Sequence, residues 1–309
     1  MSLAFVFPGQ GSQSLGMMAG FADDASVRQT FEEASAVLGQ DLWAMCQPDA
    51  DAAVINATVN TQPLMLTAGV AVFRAWTARG GALPVVAAGH SLGEYTALAC
   101  AGSIAFADAV RLVRLRAEAM QAAVPEGVGA MAAILGLADA DIIAACSEAA
   151  QGEVVEAVNF NSQGQVVIAG NKAAVERAMG LCKDKGAKRA LPLPVSVPSH
   201  CALMKPAAEK LAAALAGIAV SAPTFPVIHN ADVAAYTDPA QIRDALTRQL
   251  YQPVRWVDTV QKMAADGVSV IAECGPGKVL VGLNKRLAAE AQHVALTGLA
   301  SFDELKAVI

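Results

Sequence analysis

One five-residue segment, Gly89-His90-Ser91-Leu92-Gly93, constrains this chain more than any other. It follows an apolar run at 83–88 and precedes a segment of helix-forming residues at 92–101. A G-x-S-x-G motif between a strand and a helix is typical of a serine nucleophile on a sharp turn. The helix N-terminus behind that turn offers free N–H groups to a developing oxyanion. We therefore predict that Ser91 is a nucleophile; the structural alternative is a serine that only caps a helix.

Composition excludes several classes of protein. The longest uncharged stretch, 52–73, is interrupted by polar residues and Pro63, so we expect no membrane span. A net charge of −6 argues against nucleic-acid binding. The six cysteines form no C-x-x-C pair, which favours free thiols over disulfides or a zinc site, and no secretion signal is apparent. We expect a soluble cytoplasmic protein that holds no metal, and nothing in the sequence demands more than a monomer.

Short apolar segments alternate with amphipathic ones along most of the chain, which is typical of an α/β protein with a mostly parallel sheet. The predicted strands lie at 3–7, 85–88, 226–229, 268–273 and 293–297. The predicted helices lie at 27–38, 63–79, 106–123, 205–216, 239–250 and 254–265.

The middle of the chain has a different order of elements. Strands are predicted at 129–136, 154–159, 165–169 and 188–195, with helices at 139–150 and 172–185. This β-α-β-β-α-β order is that of a ferredoxin-like unit. We expect residues 126–197 to form such a subdomain, inserted into a hydrolase-like α/β catalytic body made of residues 1–125 and 198–309.

A serine nucleophile needs a base, and the chain has four histidines. His200 is the leading candidate, because it follows the inserted unit in a loop at the junction of the two parts. His90 adjoins the serine, but neighbouring side chains on such a turn diverge, so a supporting role suits it better. His293 fits a structural role, and His229 stays open. No sequence feature identifies a carboxylate partner for the base, although many serine hydrolases use one.

Arg116 lies on the apolar face of its predicted helix, with Leu112, Val113 and Met120 around it. An arginine stays protonated, so burying it without a partner costs several kcal/mol. It therefore needs an anion. That anion is either an internal Asp or Glu or a carboxylate on the substrate, which a guanidinium binds with two parallel hydrogen bonds.

Four motifs in this order resemble the malonyl-CoA:acyl carrier protein transacylase family of bacterial fatty acid synthesis. They are Pro8-Gly9-Gln10-Gly11-Ser12-Gln13, Gly89-His90-Ser91-Leu92-Gly93-Glu94-Tyr95, Pro198-Ser199-His200 and Gly275-Pro276-Gly277-Lys278-Val279-Leu280. The resemblance covers essentially the whole chain, including the predicted ferredoxin-like unit.

The resemblance implies a reaction and a role for each site residue. Ser91 would take the malonyl group from malonyl-CoA as an ester and pass it to the phosphopantetheine thiol of holo acyl carrier protein. His200 would act as base and acid, oriented by a backbone carbonyl that maps to Gln249. The N–H groups of Gln10 and Leu92 would form the oxyanion hole. Arg116 would bind the malonyl carboxylate. Coenzyme A thioester is then a substrate, and no cofactor is implied.

An acidic carrier protein needs a basic landing area on an enzyme of negative net charge. Two small basic groups are available: Lys188 and Arg189 in the inserted unit, and Lys285 and Arg286 after the Gly-Pro-Gly loop. The alternative for each is an ordinary solvated surface. We expect these two groups to flank the cleft and to contact the carrier protein or the phosphates of coenzyme A.

Three other functions use parts of the same pattern. A related acyltransferase of malonate decarboxylase or polyketide synthesis would use the same residues. A serine hydrolase would leave Arg116 without a role, and the Asp266-Gly267-Val268 segment only faintly suggests the aspartate of a Ser–Asp dyad. A non-catalytic binding protein would have no need of Ser91 and His200.

Overall fold

The computed structural model describes residues 1–195 and 197–309. Its strands are β1 Leu3–Phe7, β2 Val86–Gly89, β3 Gly129–Leu135, β4 Val155–Ser162, β5 Gln165–Asn171, β6 Arg189–Pro192, β7 Val227–Ile228, β8 Val270–Cys274 and β9 Gln292–Leu296. Its helices are α1 Ala25–Leu38, α2 Leu42–Met45, α3 Ala52–Asn56, α4 Thr58–Ala78, α5 Gly93–Cys100, α6 Phe106–Ala123, α7 Asp139–Ala150, α8 Lys172–Asp184, α9 Lys205–Ala216, α10 Pro239–Gln249, α11 Trp256–Ala265, α12 Val279–Leu287 and α13 Ala300–Lys306. Among these described residues, no helix is long and apolar enough to cross a bilayer.

Five parallel strands form the larger sheet, in the order β7-β2-β1-β8-β9. The central strand β1 is buried along its whole length, as its unbroken apolar sequence predicts for a strand covered on both faces. Phe5 and Phe7 pack into the core on one face, and Ala4 and Val6 pack into the core on the other. The predicted α/β class with a parallel sheet is confirmed.

Four antiparallel strands form a second, smaller sheet, in the order β4-β5-β3-β6. Its chain order, β3-α7-β4-β5-α8-β6, is the predicted β-α-β-β-α-β, and helices α7 and α8 cover one face with a core of their own. The last strand ends at Pro192 rather than at 195, because Pro194 has no N–H to continue the ladder beyond the bond from the Leu193 N–H to the Met131 carbonyl. Ser196, which falls within the predicted unit, lies outside the described residues.

Three predicted helix starts were wrong for identifiable reasons. Helix α1 begins at Ala25 rather than at 27, because the Asp24 side chain caps it by accepting from the Val27 N–H at 2.9 Å. Helix α4 begins at Thr58, five residues before the predicted start at Pro63. Pro63 cannot donate to the carbonyl of Val59, and the Arg114 guanidinium donates to that oxygen instead at 2.8 Å. Helix α11 begins at Trp256 because Val254 pairs with β4 of the small sheet, through hydrogen bonds of 2.8 and 3.0 Å.

The turn after β2 packs directly on the carboxyl end of β1. A Cβ on Gly93 would lie 2.0 Å from the Phe7 carbonyl oxygen, and one on Gly89 would lie 1.8 Å from the Gly93 backbone. Only glycine permits this approach. The two glycines of the motif therefore bring the N-terminus of α5 against the central strand, which sets the position of Ser91.

Candidate active site

Ser91 occupies the strained turn between β2 and α5. Its φ of 51° lies in the left-handed region, which is costly for a non-glycine residue and is characteristic of functional turns. Asn230, two residues beyond β7, holds the turn from the side: its Oδ1 accepts from the Ser91 N–H at 2.8 Å, and its Nδ2 donates to the Gly89 carbonyl at 2.6 Å. Sequence reasoning missed Asn230; a polar residue directly after a buried strand was its only local signal.

His200 contacts the serine as the sequence predicts. Its Nε2 lies 2.8 Å from Ser91 Oγ, and its Nδ1 lies 2.7 Å from the backbone carbonyl oxygen of Gln249. A carbonyl oxygen can only accept, so Nδ1 carries the proton and Nε2 is free to accept from the serine hydroxyl. The carbonyl thus orients the imidazole in the way that a carboxylate does in many serine enzymes.

The environment of His200 keeps the imidazole neutral. The side chain is buried at 2% exposure, and burial together with the positive charge of Arg116 lowers its pKa from 6.5 to about 3. The hydrogen bond to the Gln249 carbonyl opposes this shift without reversing it. At neutral pH His200 is therefore an unprotonated imidazole, ready to accept a proton from Ser91.

Arg116 is buried in α6, at 1% exposure, with its guanidinium directed at the same serine. It donates to Ser91 Oγ at 3.2 Å, to Gln62 Oε1 at 2.7 Å and to Gln249 Oε1 at 3.1 Å. Among the described residues it contacts no carboxylate, and its Nε has no hydrogen-bond partner. Its contacts are with neutral groups, so the guanidinium keeps its charge for an anion that enters the site.

Gln10 and Leu92 line the same cavity. Neither backbone N–H donates to another group in the described part of the chain. The Ser91 N–H, by contrast, is already bonded to Asn230. Two free N–H groups beside a nucleophile are what an oxyanion hole requires.

The cavity has a volume of about 570 Å³ and lies between the two sheets. The small sheet contributes Met131 and Val167 to its wall, and the N-terminal turns of α12 contribute Leu280. His90 connects the two sides: its Nε2 lies 2.8 Å from Asn161 Oδ1 of β4, and its ring lies 5.4 Å from that of Trp256. Burial lowers the pKa of His90, and its contacts are with these groups rather than with the serine hydroxyl.

A buried carboxylate that sequence reasoning missed, that of Glu94, contacts the residues that surround Ser91 and Arg116. Glu94 of α5 is fully buried, and its oxygens lie 2.7 Å from His229 Nδ1, 2.9 Å from the Asn230 N–H and 2.9 Å from Gln249 Nε2. The Gln249 side chain therefore joins Glu94 to Arg116. His229, left open by the sequence, is a partner of Glu94.

The four predicted docking residues are exposed and lie outside the cavity wall. Lys285 and Arg286 belong to the last turn of α12, whose first turns line the cavity. Arg189 pairs with Leu135, which pairs in turn with the cavity residue Gln165, and Lys188 packs over Gly136. The structure also contains no cluster of His, Cys, Asp or Glu suited to a metal ion within the residues it describes.

Comparisons with known proteins identify the family of this chain. Residues 4–301 match the acyl transferase domain family. The chain is 63% identical over 285 residues to the malonyl CoA-acyl carrier protein transacylase of Salmonella typhimurium, covering 92% of each chain. The crystal structure of acyl-carrier-protein S-malonyltransferase from Burkholderia pseudomallei is 57% identical, with a TM-score of 0.98 over 100% of both chains.

A third relative was solved with a partner. It is a malonyl-transacylase in complex with a type II PKS acyl-carrier protein, 55% identical with a TM-score of 0.96 over 98% of each chain. Identity at this level over nearly the full length, with the same fold, decides the family. The chain belongs to the acyl transferase family, among the malonyl CoA-acyl carrier protein transacylases.

Proposed function

We propose that this protein transfers the malonyl group from malonyl-CoA to the phosphopantetheine thiol of holo acyl carrier protein in fatty acid biosynthesis. One observation carries the proposal: Ser91 Oγ lies within hydrogen-bond distance of both His200 Nε2 and the buried Arg116 guanidinium. A nucleophile, a base and a carboxylate-binding group thus meet at one atom. The relatives named for this activity support it at up to 63% identity.

In the first half-reaction, Ser91 Oγ attacks the thioester carbonyl carbon and its proton passes to His200 Nε2. The N–H groups of Gln10 and Leu92 hold the resulting oxyanion. The C–S bond then breaks, and the proton on His200 passes to the departing sulfur, which leaves as coenzyme A. The malonyl group remains as an ester on Ser91.

The second half-reaction reverses these steps with a new thiol. The phosphopantetheine thiol gives its proton to His200 and attacks the ester carbonyl. When the ester C–O bond breaks, Ser91 Oγ takes the proton back, and the malonyl thioester leaves on the carrier protein. Both half-reactions conserve protons and electrons, so the residues present suffice and we propose that no cofactor takes part.

Arg116 supports selection of a malonyl group. The malonyl carboxylate can form charge-assisted hydrogen bonds with the guanidinium, whereas an acetyl group leaves it buried without an anion. We propose that this difference, rather than the shape of the cavity, makes acetyl-CoA a poorer donor than malonyl-CoA. A serine hydrolase would give the guanidinium no such use.

A polyketide pathway is the second candidate for the physiological carrier protein. The observation that favours it is the 55% identical relative solved with a type II PKS carrier protein. The chemistry at Ser91 would be the same in both pathways.

We also propose a cytoplasmic location, and a division into a body of residues 1–125 and 198–309 and a subdomain of residues 126–197. The separate core beneath the small sheet supports this division.

Replacement of Ser91 tests the covalent intermediate. Mixing the wild-type protein with malonyl-CoA should add one malonyl group, detected by intact-protein mass spectrometry, and holo carrier protein should then remove it. Ser91→Ala should form no adduct because the nucleophile is gone. Ser199→Ala, a serine in the same cavity, should still be acylated. An adduct on Ser91→Ala, or wild-type release to water instead of the thiol, contradicts the proposal.

Replacement of Arg116 tests the selection of the acyl group. Arg116→Met should lower kcat/KM for malonyl-CoA by about a hundredfold, as expected when one partner of a buried charged pair is lost. Loading from acetyl-CoA should be retained or increase. Arg111→Met, at an exposed position of the same helix, is the matched control and should change neither rate. Equal losses for both substrates would show that Arg116 acts only in folding.

The low pKa of His200 predicts the acid limb of the pH profile. The base works only when neutral, so the wild-type acylation rate should hold down to about pH 4 and fall near the His200 pKa of about 3. Arg116→Met removes one of the charges that lower this pKa, so its acid limb should lie at higher pH. Rates of acylation by acetyl-CoA between pH 2.5 and 8 measure both limbs. Coincident limbs would show that Arg116 does not influence the imidazole.

Charge reversal tests the docking surface. We propose that Lys285 and Arg286, with Lys188 and Arg189 across the cleft, receive the acidic carrier protein. Lys285→Glu/Arg286→Glu should raise KM for the carrier protein severalfold and reduce its dependence on salt, while acylation by a small thioester donor stays constant. Lys210→Glu, on the exposed side of α9, is the control. Unchanged carrier-protein kinetics would remove these residues from the docking surface.

A further inference from the structure

Two buried opposite charges stand close together in this site without touching. Arg116 is 1% exposed and Glu94 is fully buried. Among the described residues, Arg116 donates to two glutamine amides and a hydroxyl and lies over the Tyr95 ring, and Glu94 contacts His229, Asn230 and Gln249. The partner of Glu94 that can carry a positive charge is His229, at 2.7 Å, whereas Arg116 contacts no carboxylate among these residues. A buried guanidinium without a direct carboxylate partner is costly unless a nearby charge compensates it.

The side-chain amide of Gln249 separates the two charges. Its Oε1 accepts from Arg116 Nη2 at 3.1 Å, and its Nε2 donates to Glu94 Oε2 at 2.9 Å. The same Nε2 also donates to the Ser91 carbonyl at 2.9 Å. A guanidinium can only donate and a carbonyl can only accept, so these contacts fix the orientation of the amide. The amide therefore presents its partly negative oxygen to the guanidinium and its partly positive N–H to the carboxylate, which stabilises both charges.

We propose that Glu94 is a positioning residue that sets how tightly the enzyme holds its malonyl group. Its carboxylate, acting through the Gln249 amide, is the counter-charge of Arg116. The amide spacer lets Glu94 compensate the guanidinium in the free enzyme without occupying the contacts that a malonyl carboxylate would use. This inference rests on the proposed function, because it concerns the malonyl group on Ser91.

The charges buried near the acyl group decide how Glu94 affects the stability of the malonyl ester. Malonylation brings a second carboxylate to the buried site. With Glu94 in place, the new carboxylate is attracted by Arg116 and repelled by Glu94, and without Glu94 only the attraction remains. Glu94 therefore weakens the hold on malonyl while leaving acetyl unaffected. A transferase benefits from this, because an acyl group bound too tightly to the enzyme is not passed on.

The test is the equilibrium between malonyl-CoA plus enzyme and malonyl-enzyme plus coenzyme A. Intact-protein mass spectrometry measures the acylated fraction at defined ratios of malonyl-CoA to coenzyme A, and the same is done with acetyl-CoA. Glu94→Gln keeps the shape of the side chain and one oxygen for the Asn230 and Gln249 N–H groups. It should raise the malonyl equilibrium constant by about tenfold or more, the effect of a buried charge one amide away, and leave the acetyl constant unchanged.

The matched control is Glu273→Gln, the same change at a second fully buried carboxylate. Glu273 accepts from the Val281 N–H at the start of α12 and makes no contact with Gln249 or Arg116, so its malonyl constant should equal that of the wild type. Equal changes in the malonyl and acetyl constants of Glu94→Gln, or no change in either, would overturn the inference. Failure of the wild type itself to take malonyl on Ser91 would instead overturn the proposed function.

A double variant decides the matter if Glu94→Gln does not fold. Removing Arg116 as well, in Glu94→Gln/Arg116→Met, deletes both charges and should restore folding and the thermal midpoint, because no lone buried charge remains. If the double variant is as unstable as Glu94→Gln, Glu94 serves the structure through its hydrogen bonds alone and the inference is wrong.

Discussion

The burial of the Arg116 guanidinium beside Ser91 is the constraint that the surrounding side chains have to satisfy. A positive charge at 1% exposure needs compensation, yet no carboxylate contacts it among the described residues. Two glutamine amides, Gln62 and Gln249, fill the contacts instead, with Glu94 one amide further away. The same charge, together with burial, keeps the neighbouring His200 neutral. One residue thus affects both the hydrogen bonds around Ser91 and the pKa of His200.

Backbone geometry supplies what carboxylates supply in many serine enzymes. The histidine is oriented by the carbonyl of Gln249, and both Ser91 and His200 have left-handed backbones, with φ of 51° and 66°. Such strain persists only where surrounding contacts over-determine it. Asn230 provides them for the serine, and the bond from the His200 N–H to the Leu250 carbonyl, at 3.0 Å, provides one for the histidine.

Much of the fold was predictable because it depends on local pattern. Helix α6 begins and ends at the predicted residues, since its buried face repeats every 3.6 residues from Phe106 to Met120, with Arg116 as its one charged member. Strand β1 is equally clear, because a strand buried on both faces is apolar at every position. The start of α4 was missed because Pro63 normally marks a helix start, and only a distant arginine, Arg114, compensates its missing hydrogen bond.

By itself, the sequence determined the α/β class, the turn at Ser91, the buried position of Arg116 and, through its ordered motifs, the family. Each of these depends on residues close together in the chain. The tertiary structure decided the contacts that sequence reasoning missed: Asn230 holds the Ser91 turn, and the Gln249 side chain joins Arg116 to Glu94. His200 was expected from the sequence, and the Gln249 carbonyl was expected only through the resemblance, because every residue carries a carbonyl. The contacts of Glu94 with His229 and Asn230 span 135 and 136 residues. No local pattern encodes them, because they form only when β7 pairs with β2 in the folded sheet.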